Sequence, residues 1–568
     1  MASYLISECL EIIFLNLTEY PSNYIKTNVS TKDLYSCTLV SRHWCKISTP
    51  LLYAFPFHHF RNNISHSQYY KLIRTLLTCA PQFEIKRTYK QVLLQIPKKN
   101  FKKNPKSNIL STFNYIAFIR GLIFHKMMFE TELLYDNSNK EIWLFDYDLN
   151  RISIETAIAI MNHLIKFICN NCNNLKILEF SYGIKNDHEI INLLTLNDSN
   201  GKNKLSELKE LYYYNINSNS SAGDNLYLTP LNNVYNLKLF YLLNGEINSF
   251  KKVNSISQFI TSQKKLQHFI LSGIEEFEDM IQNLNFMVYR FLMDLIFNAT
   301  NYFNILIHSL STQSETLQIL EFRYLADNLI NGEVLDSLIL LKNIRVLKFY
   351  KCENIDNLHT WIKNLKKLEI FEITVGNRRI SEISLIQLIQ SFSNIFNQLI
   401  IIDDHEKCDF TKLFKLIPIY LQNSLTHLEL PKIFLSELIP IFKSCNKLIY
   451  ISVILINNEL QDEDLEILGD FVPKTLKRFK LKGIQSKLSM NLFLEAYIKN
   501  GGTLKYLELE YLNVFSKNHI NVNEQFGVQI IDTKYSLKLL SGSLTFAIHS
   551  LGGPRLVLLS RRNWNILI

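Results

Sequence analysis

A six-residue pattern, L-x-x-L-x-L with other large apolar residues allowed at the L positions, recurs twelve times along this chain. It starts at Leu175, Leu208, Val234, Leu266, Leu317, Ile344, Leu368, Phe396, Leu425, Leu448, Leu476 and Leu504. Successive starts lie 23 to 33 residues apart, except for 51 between Leu266 and Leu317. Apolar residues at alternate positions bury one side of a short strand, and the rest of each unit must carry the chain back to the next one. The returns read as helices. Leu385, Leu388, Ile389 and Phe392 stand at i, i+3, i+4 and i+7. So do Phe410, Leu413, Phe414 and Ile417, and again Leu435, Leu438, Ile439 and Phe442. That spacing is the apolar face of an amphipathic helix.

Strand and helix alternating every ~20–29 residues is the period of leucine-rich repeats. It predicts an α/β fold: an irregular solenoid over residues 166–515, with parallel strands on its concave face and helices on its convex face. The 51-residue step is expected to hold one degenerate unit. One unit, with Ile344, Leu347, Phe349, Cys352 and Ile355, has the cysteine-containing form of the repeat. Others place Ile216, Leu325, Ile433, Ile484 or Leu512 where Cys352 stands, so the inner ladder is apolar rather than a row of hydrogen-bonded Asn. Residues 58–165 read as a connecting region with a basic stretch and room for early degenerate repeats. Residues 516–568 read as a C-terminal cap or atypical tail.

Composition excludes several classes. With 47% hydrophobic and 20% charged residues among 568, the chain has enough apolar surface to fold, so it is not disordered throughout. Its longest nearly unbroken apolar run, Leu448 to Ile456, is far short of the ~20 residues that span a bilayer, so no membrane partner is expected. The first residues, MASYLISECLEII, have no basic region and carry Glu8 and Glu11, so they do not read as a secretory leader. Nine scattered cysteines read as reduced thiols, which points to a cytoplasmic or nuclear protein.

The net charge of +9 is local: eight basic and no acidic residues lie between Lys86 and Lys106. That stretch reads first as a solvated connector, then as a nuclear-import signal, and last as a phosphate contact. The rest of the chain is close to neutral, so nucleic acid is not an expected partner.

No catalytic, cofactor-binding or metal-binding constellation is apparent. Cys169 and Cys172 make a lone C-x-x-C, and a structural zinc site needs a second pair. His58 and His59 are adjacent and cannot share one helix face. Phosphate-loop, nucleophile-elbow and zinc-protease motifs are missing from the sequence. Asp403 and Asp404, and Asp462, Glu463 and Asp464, read as solvated turns. An enzyme is therefore not expected.

The N-terminal residues 1–57 differ from the repeats. Leu10, Ile13, Phe14 and Leu17 make one helical stripe. A polar loop follows, then Ser30 or Thr31 as the cap of a second helix carrying Leu34, Cys37 and Val40. A third segment holds Trp44, Ile47, Pro50 and Leu51. Three short helices bury little by themselves, so such a module is expected to lean on its own solenoid or on a partner.

YLISECLEIIFLNL followed by DLYSCTLVSRHWCKISTPLLY resembles an F-box. The matching residues are Leu5, Glu8, Leu10, Ile13, Phe14 and Leu17, then Leu34, Cys37, Leu39, Val40, Ser41, Arg42, Trp44, Pro50 and Leu51. Ile6 stands where the family usually has Pro, Tyr53 where it usually has Trp, and the loop from Thr18 to Lys32 is longer than usual. F-box followed by leucine-rich repeats is a known architecture. The resemblance implies a substrate receptor of a cullin–RING ubiquitin ligase, with the F-box on a Skp-family adaptor, and through it cullin, and the repeats on a protein target. It implies adaptor contact at Leu5, Leu10, Ile13, Phe14 and Leu17. Leu39, Val40, Trp44 and Leu51 would be partly core and partly contact.

Target contact is expected at the outward middle position of each strand: Glu179, Tyr212, Lys238, Glu321, Lys348, Glu372, Glu429, Lys480 and Glu508, with Ile270, Ile400 and Ser452 uncharged between them. Mixed charge there suits protein recognition. The rival reading is a repeat scaffold without a ligase role, whose helical module merely caps the solenoid. It would bury Leu5, Leu10 and Phe14 against the repeats.

Overall fold

In a computed structural model, the described residues are 6–17, 31–57, 113–124, 175–180, 208–215, 236–241, 248–272, 303–323, 332–352, 358–375, 382–391, 397–403, 409–456, 461–484, 490–511 and 529–532, with a few single positions between them. The chain divides into two compact units, Met1–Leu266 and Gln267–Ile568.

The first unit opens with three helices, α1 Ser7–Leu17, α2 Thr31–Thr38 and α3 Arg42–Leu52. α3 starts where it does because the Ser41 side chain accepts the Trp44 N–H at 3.1 Å, satisfying one of the orphan donors of the first turn. After a short helix, α4 Tyr115–Phe118, come strands β1 Gly121–Phe124, β2 Ile177–Phe180, β3 Glu210–Asn215 and β4 Asn236–Tyr241. They pair in parallel in chain order. The 15-residue helix α5, Asn248–Ser262, follows β4.

The second unit is a ten-strand parallel ladder: β5 His268–Ser272, β6 Ile319–Arg323, β7 Val346–Tyr350, β8 Ile370–Val375, β9 Gln398–Asp403, β10 His427–Ile433, β11 Tyr450–Leu455, β12 Arg478–Ile484, β13 Tyr506–Tyr511 and β14 Gln529–Asp532. Each strand pairs with the next in sequence. All twelve sequence motifs lie on strands, β2 to β13, in order.

One expectation changes. β5 pairs directly with β6, His268 against Ile319, so the 51-residue step is an insertion between neighbouring strands and not a degenerate unit. β1, at 121–124, lies in the connecting region that left room for early repeats, and β14 pairs with β13 beyond residue 515. The basic stretch 86–106, Cys169, His58 and His59 lie outside the described residues, as does the tail beyond Asp532.

Helices return the chain between strands: α6 Gly332–Ile339, α7 Leu358–Ile362, α8 Glu382–Ser391, α9 Thr411–Tyr420, α10 Leu435–Ser444, α11 Asp462–Phe471 and α12 Met490–Lys499. Leu385, Leu388 and Ile389 of α8, and Leu413, Phe414 and Ile417 of α9, are buried as the spacing predicts. In α10 the buried set is Leu438, Ile441 and Phe442, while Leu435 and Ile439 are half-exposed. The helix is rotated so that Ile441 and Cys445 face inward in their place.

These helices cover one face of the sheet. Phe442 meets Phe479 of β12 at 5.9 Å between ring centroids, and Phe493 meets it from the other side at 5.6 Å. Leu347, Phe349, Phe371, Ile373, Leu399, Ile401, Leu428, Leu430, Phe479 and Leu481 are buried beneath them. Cys352, Leu325 and Ile433 are buried at the equivalent strand-end position, so the inner ladder is apolar there.

Neighbouring repeats are tied by side chains. Buried Trp361 donates its indole N–H to the Leu338 carbonyl at 2.9 Å. Tyr497 donates its hydroxyl to Leu476 O at 2.9 Å, and burial pushes its pKa up to about 12. Glu382, at the start of α8, accepts the Lys412 and Leu413 N–H groups at 2.8 and 3.0 Å, so one repeat supplies the N-terminal cap of the next repeat's helix. Glu437 and Asp464 instead reach back within their own helices, to the Phe434 and Gln461 N–H groups at 3.1 and 3.0 Å.

Candidate protein-interaction surfaces

Two surfaces follow from the sequence: the helical module and the sheet face opposite the helices. The module has its own small core. Leu10, Phe14, Leu34 and Leu51 are buried together, with Leu15, Cys37, Trp44, Ile47 and Leu52 packed around them. Phe14 meets Trp44 edge-on at 5.2 Å. Among the described residues every member of this cluster belongs to the module, so Leu10 and Phe14 pack within it.

Burial sorts the expected adaptor contacts. Leu10, Phe14 and Leu51 are core, and Trp44 is half-buried against it, so none of the first three presents a surface. Ile13, Leu39 and Val40 are 43%, 70% and 59% exposed. Leu5 lies outside the described residues, as does the Leu17 side chain. The expectation missed Ile6, Ile12 and Tyr35, which are also exposed. A helical wheel of α1 places Ile6 and Ile13 on the flank of the Leu10–Phe14 stripe, and that was the available clue. Leu39 and Val40 sit in the turn after α2, where Leu39 N and Val40 N donate to Ser36 O and Cys37 O at 3.1 and 3.3 Å.

On the sheet, the expected middle row is real. In the first unit Glu179, Tyr212 and Lys238 are in register across β2–β4. In the second, Ile270, Glu321, Lys348, Glu372, Ile400, Glu429, Ser452, Lys480 and Glu508 form one unbroken cross-strand row. Strands ~4.8 Å apart bring such residues into side-chain contact.

The row is largely occupied with itself. Lys348 Nζ lies 2.7 Å from Glu372, and Lys480 Nζ 3.3 Å from Glu508. Arg323 pairs with Glu321, and Arg478 with Glu508. His268 Nε2 lies 3.8 Å from Glu321. Glu179, Tyr212, Glu321, Ser452, Lys480 and Glu508 are buried, whereas Lys348, Glu372 and Glu429 are half-exposed. The Lys238 side chain lies outside the described residues.

The electrostatics follow. Burial alone raises the pKa of Glu321, but His268, Arg323 and Lys348 outweigh it and hold that carboxyl at about 2. Burial works against the Lys348 ammonium, but Glu372 and Glu321 outweigh it and raise its pKa. Burial lowers the pKa of His427.

The row on the N-terminal side of this one changes character along the ladder. It runs Ile319, Val346, Ile370, Gln398, His427, Tyr450, Arg478 and Tyr506. Its rings and cation stack: His427 meets Tyr450 at 5.9 Å, and Arg478 lies 5.7 Å from the Tyr450 centroid. All but Arg478 are half-exposed.

Cys172 is a packed thiol donating to Ile119 O at 2.7 Å. Among the described residues no group of three His, Cys, Asp or Glu side chains is placed to hold a metal. No helix among them is long and apolar enough to cross a membrane.

No family model and no curated protein matches the chain. A crystal structure of a TLR13–ssRNA13 complex is similar over 63% of this chain and 57% of that one, at 14% identity and a TM-score of 0.25. The chain thus spans under two thirds of that neighbour, and a superposition so loose carries no argument. The leucine-rich-repeat-like character rests on the motifs and on the parallel register within each unit.

Proposed function

We propose that the chain is a non-catalytic substrate-recognition subunit of a cullin–RING ubiquitin ligase. Its N-terminal module binds a Skp-family adaptor, and its repeats bind a protein target. The observation that carries this reading is the exposure of Ile13, Leu39 and Val40 on a module whose core is filled by other residues. A small helical module that completes its own core and still leaves large apolar side chains outside favours a partner for them. The F-box resemblance names that partner. The row on the N-terminal side of the ion-paired middle of the sheet, with Tyr450 and Tyr506 in it, supplies the kind of half-exposed rings that anchor protein interfaces.

The test is capture of a purified Skp-family adaptor by the folded, full-length chain. Leu39→Glu combined with Val40→Glu abolishes capture and leaves the circular dichroism spectrum unchanged, because neither side chain is core. Failure of the unaltered chain to bind would sink the ligase reading and leave a repeat scaffold.

A further inference from the structure

Within each unit, most of the described repeats join the next through one shared acceptor. The carbonyl just before a strand accepts two consecutive N–H groups of the following repeat. Arg120 O accepts from Lys176 and Ile177 at 2.8 and 3.1 Å, and Lys176 O from Lys209 and Glu210 at 2.8 and 2.9 Å. In the second unit Gln267, Gln318, Arg345, Glu369, Asn397, Thr426, Ile449 and Lys477 do the same. The pattern does not begin with a strand. Ala54, in the turn after α3, accepts from Arg120 and Gly121 at 2.8 and 3.0 Å.

Ala54 therefore occupies the place of a repeat residue. It is fully buried, and Phe57 nearly so. Tyr53 packs its ring on Tyr115 of α4 at 4.3 Å, and burial pushes its hydroxyl up to about 12. Continuing a parallel ladder would need an N–H at residue 56, and Pro56 has none, so the contact stops at one rung.

We propose that Tyr53–Phe57 acts as repeat zero, making the helical module and β1 one cooperative piece rather than a head on a free tether. The exposed residues Ile13, Leu39 and Val40 are then presented in a fixed attitude to the first unit's sheet. Any partner that orders the module also orders β1, since coupling of this kind is reciprocal. The inference does not depend on what that partner is.

Hydrogen exchange read by mass spectrometry on the full-length chain tests it. Phe14→Asp opens the module core, and Ala54→Asp disrupts the junction while sparing Leu10 and Phe14. Peptides covering residues 119–124 are expected to exchange at least tenfold faster in both variants, with the second unit's peptides unchanged as the internal control. In Ala54→Asp the α1 peptide should keep most of its protection. Loss of α1 protection in Ala54→Asp would overturn the proposal, because that substitution leaves the Leu10–Phe14 core in place. The proposal is overturned if residues 119–124 keep their native exchange rate when the module has opened, or when Ala54 carries a carboxylate.

Discussion

The helical module and the ten-strand ladder bury apolar surface in opposite ways. In the ladder, each repeat adds its buried pair to a core already begun by its neighbours, and the exposed apolar residues are single and scattered, such as Ile383, Ile419 and Ile467. In the module, three helices fill a core of four buried side chains and leave Ile6, Ile12, Ile13, Tyr35, Leu39 and Val40 outside. Scattered exposed residues are normal on any protein, whereas an excess concentrated in one small module calls for a partner. Repetition lets a core grow without limit, while a three-helix module reaches its limit at once.

Four measurements sharpen or break that contrast. The largest effect belongs to the ladder's core. Trp361→Ala removes a buried ring and its hydrogen bond to Leu338 O, and is expected to cost about 3–5 kcal/mol in urea unfolding. The module's exchange protection should survive it, and loss of that protection would contradict the separation of the two cores.

Next comes acid. The Glu321 carboxyl, at about 2 in the fold against an ordinary 4.5, stabilises the folded state above pH 4.5. That contribution, roughly 3 kcal/mol, is lost as pH falls from about 4.5 toward 2. Glu321→Gln should flatten this limb of the stability–pH curve, and an unchanged limb would assign acid sensitivity elsewhere.

A smaller effect returns to the module. Ser41→Ala removes the cap on the Trp44 N–H and should destabilise the module by about 1 kcal/mol, seen as faster hydrogen exchange of the α3 peptide. The smallest lies on the ladder's rim. Arg345 and Glu369 pair at 2.7 Å but are half-exposed, so a double-mutant cycle should give under about 1 kcal/mol.

Much of this was readable in the chain. The L-x-x-L-x-L period located strands β2–β13, because alternate burial on a pleated strand leaves a two-residue signature that the partner strands repeat. The same pattern, IRGLIF from Ile119, marks β1 inside an otherwise irregular stretch of sequence. β14 was unreadable: Asp532 is in register with Leu509, so a polar residue stands where the repeat calls for an apolar one. The middle row was placed correctly in register, but its burial was not foreseen. Sequence spacing tells which residues share a row, not that neighbouring rows bring counter-charges such as Arg323 and Arg478 onto it. In the module, the stripe Leu10–Phe14 marked an inward face, and no single-helix argument could tell an inward face from a docking face.

The Glu382 carboxylate has a consequence for how this chain can change length. Because it lends its oxygen to the amides of Lys412 and Leu413, excising that one unit would strip its successor of a lid and expose bare donors. The segments headed by Glu437 and Asp464 carry their own lids and could be duplicated or dropped at less cost. Growth and shrinkage of the array should therefore favour some joints over others, with the one after Glu382 the most resistant to the knife.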